Sequence, residues 1–153
     1  MHNTKINDKY TIKRLREDEK DYLYTVLDKK IFGDIKKEDT LTTNFYSIKT
    51  EDDKTVGFFG LEQYNKDTMC ICYLFVKPNF RRQYIATDLL KTIVSKNSEL
   101  LYIYGFVSKD NEQALKFYSK NYPFLAIDRR NYTKNLNFAY INDKEDYEVI
   151  FKC

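Results

Sequence analysis

From Val76 to Leu90 the chain reads Val-Lys-Pro-Asn-Phe-Arg-Arg-Gln-Tyr-Ile-Ala-Thr-Asp-Leu-Leu: an apolar run closed by Pro78, a loop holding Arg81 and Arg82, and an amphipathic pattern from Ile85. That is a strand, a loop rich in backbone donors and a helix start. The first N–H groups of a helix lack intrahelical acceptors, and the helix dipole adds positive potential, so such a place holds phosphate. The expected chemistry is a nucleotide-type phosphate cradled by the backbone of Arg82 to Thr87, with charge from Arg81 or Arg82. Taken alone, the two arginines read better as a solvated basic loop; the flanking strand and helix favour the cradle.

Metal chemistry is disfavoured by the same inspection. The single histidine is His2, and the three cysteines, Cys70, Cys72 and Cys153, form no ligand spacing or disulfide framework. Cys70 and Cys72 sit two apart in an expected strand, so they project to one face as small apolar residues.

The elements that must position the loop follow from periodicity. Tyr10 to Leu15 alternates as a first strand, and Glu17 to about Lys30 places Leu23, Val26 and Leu27 at helical spacing behind an acidic start. Gly33 is expected to close that helix, and Asp34 to Thr43 to be irregular or a short second helix. Phe45 to Ile48, a polar turn at Glu51 to Lys54, and Thr55 to Tyr64 form a hairpin. After a turn at Asn65 to Asp67, the almost wholly apolar Thr68 to Val76 is expected to be a central strand covered on both faces. Ile85, Ala86, Leu89, Leu90, Ile93 and Val94 then make one helical stripe.

Leu100 to Val107 reads as a buried strand, and Asp110 followed by Gln113 marks the start of another helix. This helix presents Ala114, Leu115, Phe117 and Tyr118 and ends before Pro123. Two short strands, Phe124 to Asp128 and Tyr147 to Lys152, complete an α/β order of hairpins and crossover helices.

At 153 residues the chain is expected to be one domain, 1–153, burying roughly 70% of its unfolded surface. With 14 Tyr, 11 Phe and no Trp, aromatic rings must fill much of that core. The 26 basic and 23 acidic residues are interleaved, with a net charge of +3 and no basic face that would mark a nucleic-acid partner. No run reaches the ~20 apolar residues of a membrane span, and Met1 to Lys5 begins no signal peptide. No membrane partner and a cytoplasmic location are therefore expected.

The order of elements, with Val-x-Pro before a basic loop and helix, resembles the GCN5-related N-acetyltransferase family from Tyr10 to Phe151. Val76, Pro78, Arg81 and Ala86 match its acetyl-CoA signature, Arg/Gln-x-x-Gly-x-Gly/Ala after Val-x-Pro. Asn111 and Tyr118 match an Asn at the next helix start and a Tyr seven residues on. Tyr84 stands where the signature has its first Gly, and Asn121-Tyr122-Pro123-Phe124 replaces a Gly-Phe turn.

The resemblance implies a mixed, mostly antiparallel central sheet with a splayed parallel strand pair, flanked by helices. It implies acetyl-CoA as co-substrate, no metal, and direct attack by a primary amine of a small molecule or protein in a ternary complex. Arg81, Arg82, Gln83, Tyr84, Ile85, Ala86 and Thr87 would hold the pyrophosphate. Leu74, Phe75 and Val76 would pair with the pantetheine arm between the strands ending at Val76 and Val107, and Asn111 would add an amide contact. The Val76 backbone N–H would polarise the thioester carbonyl, and Tyr118 would protonate the departing thiolate as general acid. Tyr118 also lies on its helix's core face, so packing is its competing role.

Some relatives carry a base at the end of the strand before that helix, where this chain has Phe106 or Val107. Glu62 is the remaining candidate base, and an exposed strand glutamate or solvent deprotonation is the alternative. Segments Ile31 to Thr43 and Arg129 to Asp146, with Arg129-Arg130, would choose the acceptor. A catalytically silent acyl-CoA-binding or protein-interaction domain is the competing reading, and an RNA-binding module a third. Monomer and homodimer stay open, with Tyr147 to Lys152 as the candidate pairing edge.

Overall fold

The apolar run at 68–76 becomes the fifth strand of an eight-stranded sheet in the computed structural model, which describes residues 1–29, 36–100, 102–108, 124–128 and 147–152. In chain order the strands are β1 (Thr4–Lys5), β2 (Tyr10–Arg14), β3 (Asn44–Thr50), β4 (Thr55–Asn65), β5 (Thr68–Val76), β6 (Tyr102–Ser108), β7 (Phe124–Asp128) and β8 (Tyr147–Lys152). Their spatial order is β1-β2-β3-β4-β5-β6-β8-β7. Every neighbouring pair is antiparallel except β5 and β6, which run parallel over Thr68 to Cys70 against Tyr102 to Tyr104.

Among the described residues two helices pack on opposite faces of the sheet. Helix α1 (Glu17–Asp28) buries Leu23, Val26 and Leu27, spaced so that all three fall on one stripe, against Leu15, Phe58 and Phe75. Helix α2 (Ile85–Lys96) buries Ile85, Leu89, Leu90 and Ile93 against Ile12, Ile48, Phe59, Leu61 and Ile71. Strand β5 contributes Phe75 to the first layer and Met69 and Ile71 to the second, so it is covered on both faces as expected.

Several boundaries differ from expectation. Helix α1 ends at Asp28, and the Lys29 N–H caps it by donating to the Val26 carbonyl, so no basic residue lies in its last turn. The polar stretch before β3 forms a 3-10 turn at Lys37–Thr40. The short β1 was not expected, two residues being too few to show a period. Strand β8 is not a pairing edge: it pairs with β6 on one side and β7 on the other, so both its rows of backbone groups are engaged. The edges are β1 and β7. Among the described residues no helix is long and apolar enough to cross a membrane. The expected Gly33 stop, the helix holding Asn111 and Tyr118, and the segment 129–146 lie outside the described residues.

A buried polar brace ties α1 to the sheet. The Lys49 ammonium donates to Glu19 Oε2 at 2.7 Å and to Thr55 Oγ1 at 2.6 Å, and the Thr55 hydroxyl donates to the same Glu19 oxygen at 2.6 Å. Glu19 Oε1 accepts the Arg16 backbone N–H at 3.1 Å, satisfying a donor at the helix start. Burial pushes the Glu19 carboxyl up, but the hydrogen bonds from Lys49, Thr55 and Arg16, with the Lys49 charge, bring it below the usual carboxylate range.

Candidate active site

Strand β5 carries one residue more than its partner can match. Phe58 faces Phe75 and Gly60 faces Cys72, so Tyr73 and Leu74 stand opposite Phe59 alone. This is a bulge, and Tyr73 takes the left-handed conformation with φ 53°. An unbroken apolar run gives little hint of it; the only sign is that small Cys70 and Cys72 alternate with Met69 and Ile71 until Tyr73 interrupts them.

Beyond the bulge, Val76 faces Gly57, and the Lys77 N–H donates to the Val56 carbonyl at 2.8 Å. Successive residues of a strand aim their backbone groups to opposite sides. With Lys77 bonded to β4, the Val76 N–H and C=O point the other way. Strand β6 lies on that side, but its pairing with β5 stops at Cys70. The Val76 carbonyl instead accepts the Arg81 Nε–H at 2.8 Å.

Pro78–Phe80 turns the chain from β5 into the loop, where Arg82 and Tyr84 have φ values of 64° and 61°. Tyr84 precedes α2 with its ring 71% exposed, so the side chain points outward while the backbone adopts the conformation that glycine would adopt freely. The first helical bond is from the Asp88 N–H to the Tyr84 carbonyl at 2.9 Å. The N–H groups of Ile85, Ala86 and Thr87 precede it and are the orphan donors of the first turn.

Two cross-links pin the loop to the N-terminal segment: the Tyr10 hydroxyl donates to Gln83 Oε1 at 2.6 Å, and Asn7 Nδ2 donates to Asp88 Oδ2 at 2.9 Å. Gln83 therefore spends its side-chain oxygen inside the protein. Ile85 is 2% exposed, so it can offer a ligand only its backbone. The structure thus brings Val76, Arg81 and the Arg82 to Thr87 backbone to one end of β5.

Arg81 sits over the Phe75 ring with 5.6 Å between guanidinium carbon and centroid, and Lys77 Nζ lies 4.8 Å from the Tyr22 centroid. Tyr22 makes edge contact with Phe58 at 6.3 Å. Burial pushes the Tyr22 phenol up, with the Arg81 charge opposing. Neither Tyr22 nor Lys77 stood out in the sequence, where both look like surface residues of ordinary elements.

Glu62 is on β4 opposite Cys70, half-buried, and accepts the Thr43 hydroxyl at 2.8 Å. It is therefore held in place rather than loose on the surface. Cys70 is buried and Cys72 only partly so. The Cys70 sulfur, burial of the thiol and the Glu62 charge push the Cys72 thiol well above its usual range. No group of three or more metal-ligating side chains occurs among the described residues.

The model of the Acetyltransferase (GNAT) family matches residues 9–122, and the chain belongs to that family. Among solved structures, a GNAT-family acetyltransferase from Staphylococcus aureus Mu50 is similar with TM-score 0.71 and 18% identity, over 94% of this chain and 98% of that one. Arabidopsis thaliana Naa50, solved with the bisubstrate analogue CoA-Ac-MVNAL, has TM-score 0.67 and 20% identity, over 95% and 99%. Vibrio cholerae spermidine N-acetyltransferase, solved with CoA and spermine, has TM-score 0.59 and 13% identity, over 95% of each chain. At these identities the likeness is one of fold. No curated protein matches the chain.

Proposed function

We propose that this acetyltransferase takes acetyl-CoA and a primary amine together and transfers the acetyl group by direct attack. The observation that carries the reading is the Val76 N–H, aimed away from β4 at the end of a bulged strand, five residues before a turn whose backbone donors open α2.

The reading assigns each part a task. The Arg82 to Thr87 backbone and the arginine charges hold the pyrophosphate, and Leu74 to Val76 meet the pantetheine amides as a further strand would. The Val76 N–H donates to the thioester carbonyl oxygen as negative charge develops there. The amine nitrogen bonds to the carbonyl carbon, the C–S bond breaks, and the thiolate takes a proton from Tyr118. The proton lost by the amine goes to water, or through water toward Glu62, which stands opposite Cys70 six residues along β5 from Val76; with an ordinary amine pKa near 10.4, removing it is a real barrier at neutral pH. Asn111 adds an amide contact.

Relatives of the same fold include one solved with a peptide-CoA analogue and one with spermine, which supports a primary amine as acceptor. The deciding experiment is calorimetry with acetyl-CoA followed by CoA release across a broad amine panel. Binding with turnover is expected; binding without turnover makes the domain a silent acyl-CoA binder. Tyr118→Phe is expected to lower turnover and leave acetyl-CoA affinity nearly intact. Unchanged turnover across the pH range removes Tyr118 from the mechanism.

A further inference from the structure

From Arg81 to Ile85 the loop before α2 alternates residues that are fixed with residues that are strained. Arg81 is tied by its Nε–H to the Val76 carbonyl, Gln83 by its Oε1 to the Tyr10 hydroxyl, and Ile85 is buried in the core. Between them stand Arg82 and Tyr84, both exposed and both at positive φ, 64° and 61°. A residue with a Cβ loses energy in that conformation and keeps it only where its surroundings over-determine it. The exposed side chains do not supply those surroundings, so the fixed residues on either side must.

The fixing leads back to the segment between β1 and β2. Tyr10 is 5% exposed and faces Thr50 in the β2–β3 pairing, so the core and the sheet together hold its ring. Just before it the chain closes a tight turn: Asn7 Oδ1 accepts the Lys9 and Tyr10 N–H groups at 2.9 and 3.0 Å, and the Ile6 N–H donates to the Tyr10 carbonyl at 3.0 Å. Those two bonds decide which end of the Asn7 amide faces α2, and its Nδ2 meets Asp88 Oδ2. One rigid turn thus grips the loop at Gln83 and the first turn of α2 at Asp88.

We infer that Tyr10 and Asn7 are positioning residues for acetyl-CoA: they hold the loop in the left-handed backbone shape that glycine would reach unaided, so that the Arg82 to Thr87 N–H groups are in place before the pyrophosphate arrives. The inference rests on the acetyl-transfer reading above. Without the brace Arg82 and Tyr84 relax toward negative φ, the binding-competent shape becomes a smaller fraction of the population, and apparent affinity falls by that fraction. Both residues act through the loop, so they govern cofactor binding and not the step that follows it.

The test is calorimetry with acetyl-CoA, together with CoA release, on the whole chain. Tyr10→Phe keeps the buried ring and removes only the hydroxyl. The acetyl-CoA Kd is expected to rise at least about threefold, the net worth of one hydrogen bond, with kcat at saturating acetyl-CoA unchanged. When Tyr84→Gly is already present the same change should raise Kd by a smaller factor, because glycine needs less holding. Asn7→Asp sets one carboxylate against another and should also weaken binding. Adding Asp88→Asn restores a donor facing an acceptor with the sides exchanged, and should recover affinity beyond what Asp88→Asn gains alone. An unchanged Kd in Tyr10→Phe, even with a lower Tm, makes the hydroxyl purely structural and overturns the inference while acetyl transfer stands. Equal losses of affinity with tyrosine and with glycine at position 84 overturn it as well. A parent protein that binds no acetyl-CoA overturns the transfer reading and the inference together.

Discussion

Gly57 faces Val76 across β4 and β5 with backbone close to backbone: a Cβ at Gly57 would run into the Phe75 carbonyl and lie 3.2 Å from the Val76 Cα. The glycine is what lets β5 lie flat at the position where its N–H turns outward. Gly57→Ala is expected to cost about 1–3 kcal/mol, as an overpacked site does, and to weaken acetyl-CoA binding by moving Val76. Thermal melting and calorimetry check both; an unchanged Kd in a folded variant would separate Val76 from the cofactor.

The Lys49–Glu19 brace makes stability depend on acid. Because Glu19 titrates below its ordinary value in the folded protein, its contribution is complete above the ordinary carboxylate pKa and is lost as pH falls through the lowered folded value. Glu19→Gln is expected to destabilise the protein by about 3–5 kcal/mol at pH 7, since it strands the buried Lys49 charge. It should also flatten the acid limb of stability against pH. Denaturant melts from pH 7 down to pH 3 measure this, and parallel curves for both proteins would contradict it.

Tyr84 holds a glycine conformation without being glycine. A positive φ in such a residue costs about 1–2 kcal/mol, and the exposed ring recovers little by packing. Tyr84→Gly is expected to raise Tm by roughly 2–4 °C and to bind acetyl-CoA at least as tightly. A lower Tm would mean that the ring contributes contacts that outweigh the strain.

Charge at the loop is tested by Arg81→Glu with Arg82→Glu. Acetyl-CoA affinity is expected to fall at least about tenfold at low salt, with a smaller loss at 1 M salt, where screening acts within ~3 Å. Equal affinity in variant and parent would show that the loop is no phosphate cradle.

What the sequence reveals and hides follows from how each feature is encoded. Strands β5, β7 and β8 match expectation to the residue because apolar runs bounded by polar turns leave little freedom. The start of α2 at Ile85 shows as a change of period. Features set by partners far along the chain do not show. Lys49 and Glu19 are ordinary charged residues until the fold buries them together, and Tyr10 is not tied to Gln83 by any local pattern. The placing of β8 between β6 and β7 depends on long-range pairing, so a terminal strand read as an edge becomes an interior one. At the site, Val76 and Arg81 are legible from a motif, but the bulge at Tyr73 is not.

That bulge is a single-residue slip in the strand's alternation. Before it Met69 and Ile71 pack in the α2 layer; after it Leu74 and Val76 do, so odd positions hand over to even ones at Tyr73. Removing Tyr73 would restore the two-residue rhythm past Phe59 with every apolar side chain still in its layer, leaving only the irregularity between Gln63 and Asn65 in the pairing of β5 with β4. The shortened chain is therefore expected to fold, with far-ultraviolet circular dichroism like that of the parent, and to lose acetyl-CoA binding. The strand's capacity to fold and its capacity to serve as a site are thus written in different residues: one tyrosine too many for the sheet sets the register that the chemistry uses.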